Sequence, residues 1–332
     1  MTFVTGGTGF IGTHLLRELI KRHEKVRALK RTNSRILLEE EISQQIEWIE
    51  GDLLDVSSLE DGMKDCDEVY HCAATVRFLP KDRDRLMRTN IEGTANVVNT
   101  SLDNKVRKLI HVSSVAAVGR SRDDEIVDEN TPWENGKHNS NYAISKFLAE
   151  REVWRGVAEG LNAVIMNPSL VMGAGNWDDG PPQMFTRIWK GLFIYTEGGT
   201  GVVAVDDVVN LMILVMKSEI SGERFIVNAE HWSFKDLFFL IADQLKVKRP
   251  WLNAQPWMMD LFWRGELIRQ LFSGGKPIVS KEMARIALHW SRFDNSKIVN
   301  ATHYQFMPVK TCIEETAKNF LDEINHRLSK DK

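Results

Sequence analysis

Three cysteines in 332 residues (Cys66, Cys72 and Cys312) are an odd number with no metal-ligand spacing. That excludes a disulfide framework or a zinc site and predicts a reducing, cytoplasmic compartment. A marked excess of charge of one sign is missing too. A net charge of −3, with no basic cluster, argues against a nucleic-acid partner. No apolar run reaches spanning length, so a transmembrane helix is not expected. The opening MTFVTGGTGFIG already reads as working structure, so no cleaved leader is expected. Internal repeats and low-complexity segments are lacking as well.

What is present is an ordinary globular composition, 43% hydrophobic and 27% charged. The length exceeds what one core usually serves. The expectation is a large α/β unit with a smaller lobe. Short apolar stretches alternate with amphipathic helical ones. Strands are predicted at 2–6 (TFVTG), 25–31 (KVRALKR), 46–53, 68–74 (EVYHCAA), 108–114 (KLIHVSS) and 162–169 (NAVIMNPS). Helices are predicted at 11–22, 56–64, 82–103 and from about Tyr142 to 159. This alternation builds a Rossmann-type doubly wound parallel sheet. Residues 173–183 read as a loop, and 250–277, rich in Trp and Met with three prolines, as an irregular lid. The division that follows is 1–169 for the nucleotide-binding unit, with 201–230 returning to it. Residues 170–200 and 231–332 form the main part of a substrate lobe.

TGGTGFIG sits between the first strand and the first helix. Gly6, Gly9 and Gly12 have the spacing of a dinucleotide loop: a tight turn, a backbone close to the pyrophosphate, and a close helix–strand contact. The helix N-terminus supplies free N–H groups and a positive dipole end. An NAD site usually places an acid at the end of the second strand. Here Lys30, Arg31 and then Arg35 stand there, cations suited to a 2′-phosphate. NADP(H) is therefore expected over NAD(H), the plainer alternative being a solvated basic turn.

Tyr142 and Lys146, in NYAISK, lie one helical turn apart on one face. Alone the pair decides nothing; a nucleotide loop in the same chain gives it meaning. Lysine beside a phenol favours the phenolate, lowering a tyrosine pKa that is ordinarily about 10.

In order along the chain run TGGTGFIG, GDL (51–53), HCAA (71–74), TNIEGT (89–94), VSS (112–114), YAISK (142–146), NPSLVMG (167–173) and VDDVV (205–209). This series resembles the extended short-chain dehydrogenase/reductase family, also known as the NAD-dependent epimerase/dehydratase superfamily. The resemblance implies that Gly6, Gly9, Phe10, Ile11 and Gly12 line the pyrophosphate. It puts Asp52 and Leu53 at adenine, Ala73 and Ala74 beside a ribose, and Pro168 and Val171 at the nicotinamide. Ser114, Tyr142 and Lys146 would form the catalytic triad, Ser114 being chosen over Ser113 by its spacing to VG (118–119). Asn90 would support the site, or is a helix residue bonding to backbone.

Two features separate the branches of that family. Dehydratases carry an Asp-Glu pair after the catalytic hydroxyl; Ser114 is followed by Val115 and Ala116. Sugar-nucleotide enzymes show an arginine before VDD; GGTGVVAVDD (198–207) has none. YAISKFLAE, DENTPW (128–133) and VRALKR are similar to the dihydroflavonol-reductase and 3β-hydroxysteroid-dehydrogenase-like branch. That implies hydride transfer with a ketone or secondary alcohol on an apolar small molecule, Tyr142 handling the proton, and a homodimer through helices 82–103 and 142–159. A sugar-nucleotide epimerase holding NAD is the alternative. The aromatic stretch 251–272 suits an apolar ligand, lid packing or a dimer surface, with shallow membrane contact disfavoured.

Overall fold

The structure is a computed structural model that describes residues 1–76, 82–119, 125–136, 139–273, 284 and 286–330. Ten strands matter for the site: β1 (Thr2–Thr5), β2 (Val26–Lys30), β3 (Ile46–Glu50), β4 (Glu68–His71), β5 (Lys108–Val112), β6 (Ala163–Pro168), β7 (Leu170–Met172), β8 (Gly199–Ala204), β9 (Glu223–Val227) and β10 (Glu230–Ser233). Seven of them form one parallel sheet in the order β9-β6-β5-β4-β1-β2-β3. The chain reverses direction across the sheet between β1 and β4, and a crevice at such a point is where open α/β sheets take their ligands.

Alternation along each strand sorts side chains to two cores. Val4, Ala28, Tyr70, Ile110, Val164 and Met166 face one side. They pack on α1 (Phe10–Lys21) and, later in the chain, on a helix spanning Val205–Met216. Phe3, Leu29, Val69, Leu109 and Ile165 face the other side. There they meet α2 (Val56–Met63), α3 (Gly93–Asp103) and α4 (Asn141–Ala158). The Val205–Met216 helix is α5. Its C-terminal end is closed by buried Lys108, whose Nζ donates to the carbonyls of Val215 (2.7 Å) and Ser218 (2.8 Å), satisfying acceptors that a helix end leaves free.

A second, three-stranded sheet, β10-β8-β7, covers a third core with α6 (Phe234–Gln244) and, after α7 (Pro256–Ser273), α8 (Val309–Lys330). Trp177, Phe185 and Phe320 lie within this core.

Two expected elements differ. The helix expected over 82–103 is continuous but not uniform: Arg83–Met87 leads through a π turn, Arg88–Glu92, into α3. Such turns cluster at functional sites, and this one holds Asn90. The lid expected to be irregular contains the 18-residue α7. Pro256 stands at its first position, where the missing N–H costs nothing, so the proline there starts a helix. Residues 274–277 of that stretch lie outside the described residues.

Candidate active site

The glycine loop is set by contact. Gly6 has φ +73°, and a β-carbon there would stand 2.5 Å from the backbone nitrogen of Ala73. At Gly12 a β-carbon would stand 2.1 Å from the Gly6 carbonyl oxygen. Gly9 N–H donates to that same carbonyl at 2.9 Å, closing the turn from which α1 starts. The first N–H groups of α1 therefore open at the sheet's switch point, a place suited to a pyrophosphate. Ile11 packs against the first core, while the Phe10 ring lies against Gly173 and Gly175 in the loop after β7.

A cleft of about 630 Å³ lies at the ends of β2 and β3. Arg31, Asn33, Ser34, Glu50 and Asp52 line it, together with Arg85, which sequence reasoning missed. Arg85 lies in the short Arg83–Met87 helix, far along the chain, and only the tertiary fold brings it here. Lys30 and Arg35 are not in the lining. Lys30 faces Glu50 at 3.7 Å, and Thr32 donates to the same carboxylate at 2.6 Å. Asp52 accepts from Leu54 N–H at 3.0 Å, and Leu53 is buried against Gly93. Ala73 lies against Gly6 and its N–H donates to the Thr5 hydroxyl at 3.4 Å, whereas Ala74 is exposed.

Across the sheet end, Tyr142 enters from the first turn of α4, where Ser140 caps the helix by accepting from Ala143 N–H at 3.0 Å. The hydroxyls of Tyr142 and Ser114 are hydrogen-bonded. Ser114 is oriented by the turn it caps, accepting from Ala116 N–H at 3.2 Å. The neighbouring Ser113 lies beside Glu150 instead. Lys146 is 2% exposed and its Nζ donates to the Val112 carbonyl at 2.8 Å.

The electrostatics depart from expectation at Tyr142. Lys146 was expected to lower the Tyr142 pKa. Here burial dominates and pushes the phenol above its ordinary value, with the Ser114 hydrogen bond acting against it. Burial also pushes Lys146 down to about 8, opposed first by Glu150 and then by Cys72.

Asn90 is 2% exposed and fully engaged. Its Oδ1 accepts from Thr75 N–H at 2.7 Å, and its Nδ2 donates to Thr75 O at 3.0 Å and Ser145 Oγ at 2.9 Å. The side chain thus ties the segment following β4 to α4. Pro168 closes β6 beside Val227, and Val171 is buried in the first core. The Trp133 ring stacks on Phe147 at 4.3 Å, fixing the DENTPW segment against α4 one residue beyond Lys146.

The loop and α1 fit a dinucleotide by two tests: a cradle that β-carbons would fill, and unobstructed helix N–H groups facing it. Comparisons with known proteins agree. A putative dihydroflavonol 4-reductase of Synechocystis sp. is 30% identical over 306 residues, 90% of this chain and 88% of that protein. Cinnamoyl-CoA reductase 1 of Petunia hybrida is 32% identical over 339 residues, 97% and 92% respectively. The crystal structure of gox2253 superposes with a TM-score of 0.82 at 29% identity, covering 97% of this chain and 98% of that one. The profile of the NAD dependent epimerase/dehydratase family matches residues 2–228, and the chain belongs to that family, on its reductase-like, extended short-chain dehydrogenase/reductase side.

Proposed function

We propose that the protein is an NADP(H)-dependent carbonyl reductase or alcohol dehydrogenase acting on an apolar ketone or secondary alcohol. The observation that carries this is the hydrogen-bonded pair Ser114–Tyr142, with buried Lys146 one turn below, at the sheet end that also carries the glycine loop. Gly6, Gly9, Phe10, Ile11 and Gly12 would hold the pyrophosphate, Asp52, Leu53, Ala73 and Ala74 the adenosine side, and Pro168 and Val171 the far end. When bound, the nicotinamide supplies or accepts the hydride. Tyr142 exchanges the proton with the substrate oxygen, and Ser114 donates a hydrogen bond to that oxygen. Lys146 supplies positive charge below the phenol. Asn90 acts at one remove, through Thr75 and Ser145.

Arg31 and Arg85 in the same cleft support NADP(H) over NAD(H), being suited to a 2′-phosphate. The absence of an acid pair after Ser114, and the names of the reductase relatives, favour reduction over epimerisation. The lobe from 170–200 and 231–332 would hold the substrate, under the Trp- and Met-rich α7. No helix among the described residues is long and apolar enough to cross a membrane, and the proposed setting is a cytoplasmic homodimer. Tyr142→Phe tests the reading: turnover should vanish while NADPH binding persists.

A further inference from the structure

We propose that Glu150 is a positioning residue whose buried carboxylate supplies the counter-charge to Lys146 under Tyr142, and that Asn167 couples this carboxylate to the backbone of Ser114. The inference rests on the reading of Lys146 as part of the catalytic site.

Tyr142, Lys146 and Glu150 are spaced four apart on α4 and share one face. Glu150 is 1% exposed. A carboxylate taken so far from water is costly unless it is fully paired. It is met from three strands. Asn167 Nδ2, on β6, donates to Oε1 at 2.6 Å. Arg224 Nη1, on β9, donates to Oε2 at 3.4 Å. The Ser113 hydroxyl lies beside it at the end of β5. Asn167 and Arg224 donate one to each oxygen, so the carboxyl group needs no proton to satisfy them. Arg224 is itself held by the Glu129 carbonyl, to which Nε donates at 3.0 Å and Nη2 also donates. The Glu129 carboxylate in turn accepts from Ile226 N–H at 2.8 Å.

Asn167 Nδ2 also donates to the Ser114 carbonyl at 2.9 Å. One amide group therefore ties the carboxylate to the backbone that aims the catalytic hydroxyl. The amide and the lysine hold the chain where β5 ends: Lys146 at the Val112 carbonyl, Asn167 two residues on at the Ser114 carbonyl.

Several other groups face Lys146. His71 on β4 and His111 on β5 are held neutral by burial and by Lys146 itself. The Cys72 thiol is pushed up to about 12 by burial and stays protonated at neutral pH. Burial raises Glu150 as well, opposed by Ser113, Asn167, Arg224 and Lys146. Glu150 is thus the anion available to balance the buried ammonium.

The test is an NMR titration of the full-length protein carrying 13Cε-labelled lysine, with Lys146 assigned from the signal missing in Lys146→Met. Wild type should titrate near 8. Glu150→Gln, which keeps the shape and removes the charge, should move the midpoint down by about one unit or more. Glu150→Asp should restore it. Arg224→Gln, which removes a neighbouring cation, should move it up. A purely structural role would not produce shifts of opposite sign in folded variants. An unchanged or raised midpoint in Glu150→Gln overturns the proposal. Should Glu150→Gln fail to fold, Arg224→Gln decides alone: an upward shift supports it, none overturns it. The titration needs no substrate. A protein that reduces no ketone but shows these shifts would refute the reductase reading and leave this one standing.

Discussion

Gly6 and Ala73 meet backbone to backbone at the point where the sheet reverses: a β-carbon on Gly6 would stand 2.5 Å from the Ala73 nitrogen and 2.6 Å from its Cα. The contact joins the turn after β1 to the strand end after β4. Neither side can retreat, because Gly6 also holds a left-handed φ of +73°. Gly6→Ala should therefore cost about 1–3 kcal/mol of backbone strain. Nucleotide titration should show affinity falling by about tenfold or more, and the thermal midpoint should drop as well.

Arg31 lines the cleft at the ends of β2 and β3, while Lys30 is turned to Glu50. A charge-assisted hydrogen bond to a phosphate is worth about 1.5–3 kcal/mol. Arg31→Ala should thus weaken NADPH by about ten- to a hundredfold and leave NADH almost unchanged. Arg85→Ala should act in the same direction. Lys30→Ala should do much less. Paired titrations with the two nucleotides check all three.

Ser114 and Tyr142 share a hydrogen bond, and Ser113 points to the Glu150 side. Ser114→Ala should lower turnover by about a hundredfold or more, as loss of one donor to a developing oxyanion does. Ser113→Ala should retain most of the activity. Steady-state kinetics on one accepted ketone separates the two.

Lys146 carries a pH signature of its own. Its native pKa of about 8 lies below the 10.5 of an ordinary lysine. Between those values the unfolded chain binds the proton and the native one does not. Stability from this group therefore rises with pH across that window. Compared with Lys146→Met, the wild type should gain thermal stability from about pH 8 to 10.5, with a flat difference below pH 8. Thermal melts of both proteins at stepped pH values check it.

What the sequence shows most clearly is what lies close together along the chain. The glycine triplet sits between strand and helix, and Tyr142–Lys146 is one helical turn, so spacing alone suggested both. The six leading strands follow from buried apolar runs. Glu150, Asn167 and Arg224 are one constellation in space but come from α4, β6 and β9, and no spacing joins them. Glu150 was visible only as the last letter of YAISKFLAE. Arg85 enters the cleft from a short helix 54 residues beyond Arg31. α7 was read as irregular because Pro256 and the crowd of tryptophans hide a helix that has no clear apolar stripe. The rise in the Tyr142 pKa was not foreseen, since burial of a hydroxyl depends on the whole pocket and pair spacing says nothing about it.

The central claim is that Tyr142 moves the proton while the rest of the site holds nucleotide and substrate. The most direct measurement is NADPH consumption with a panel of apolar ketones by wild type and Tyr142→Phe, each first shown to bind NADPH. The account predicts turnover of at least one ketone by wild type, loss of about a hundredfold or more in the variant, and similar NADPH affinity in both. Wild-type rates in Tyr142→Phe, or stoichiometric NAD released from the denatured wild-type protein, would contradict it.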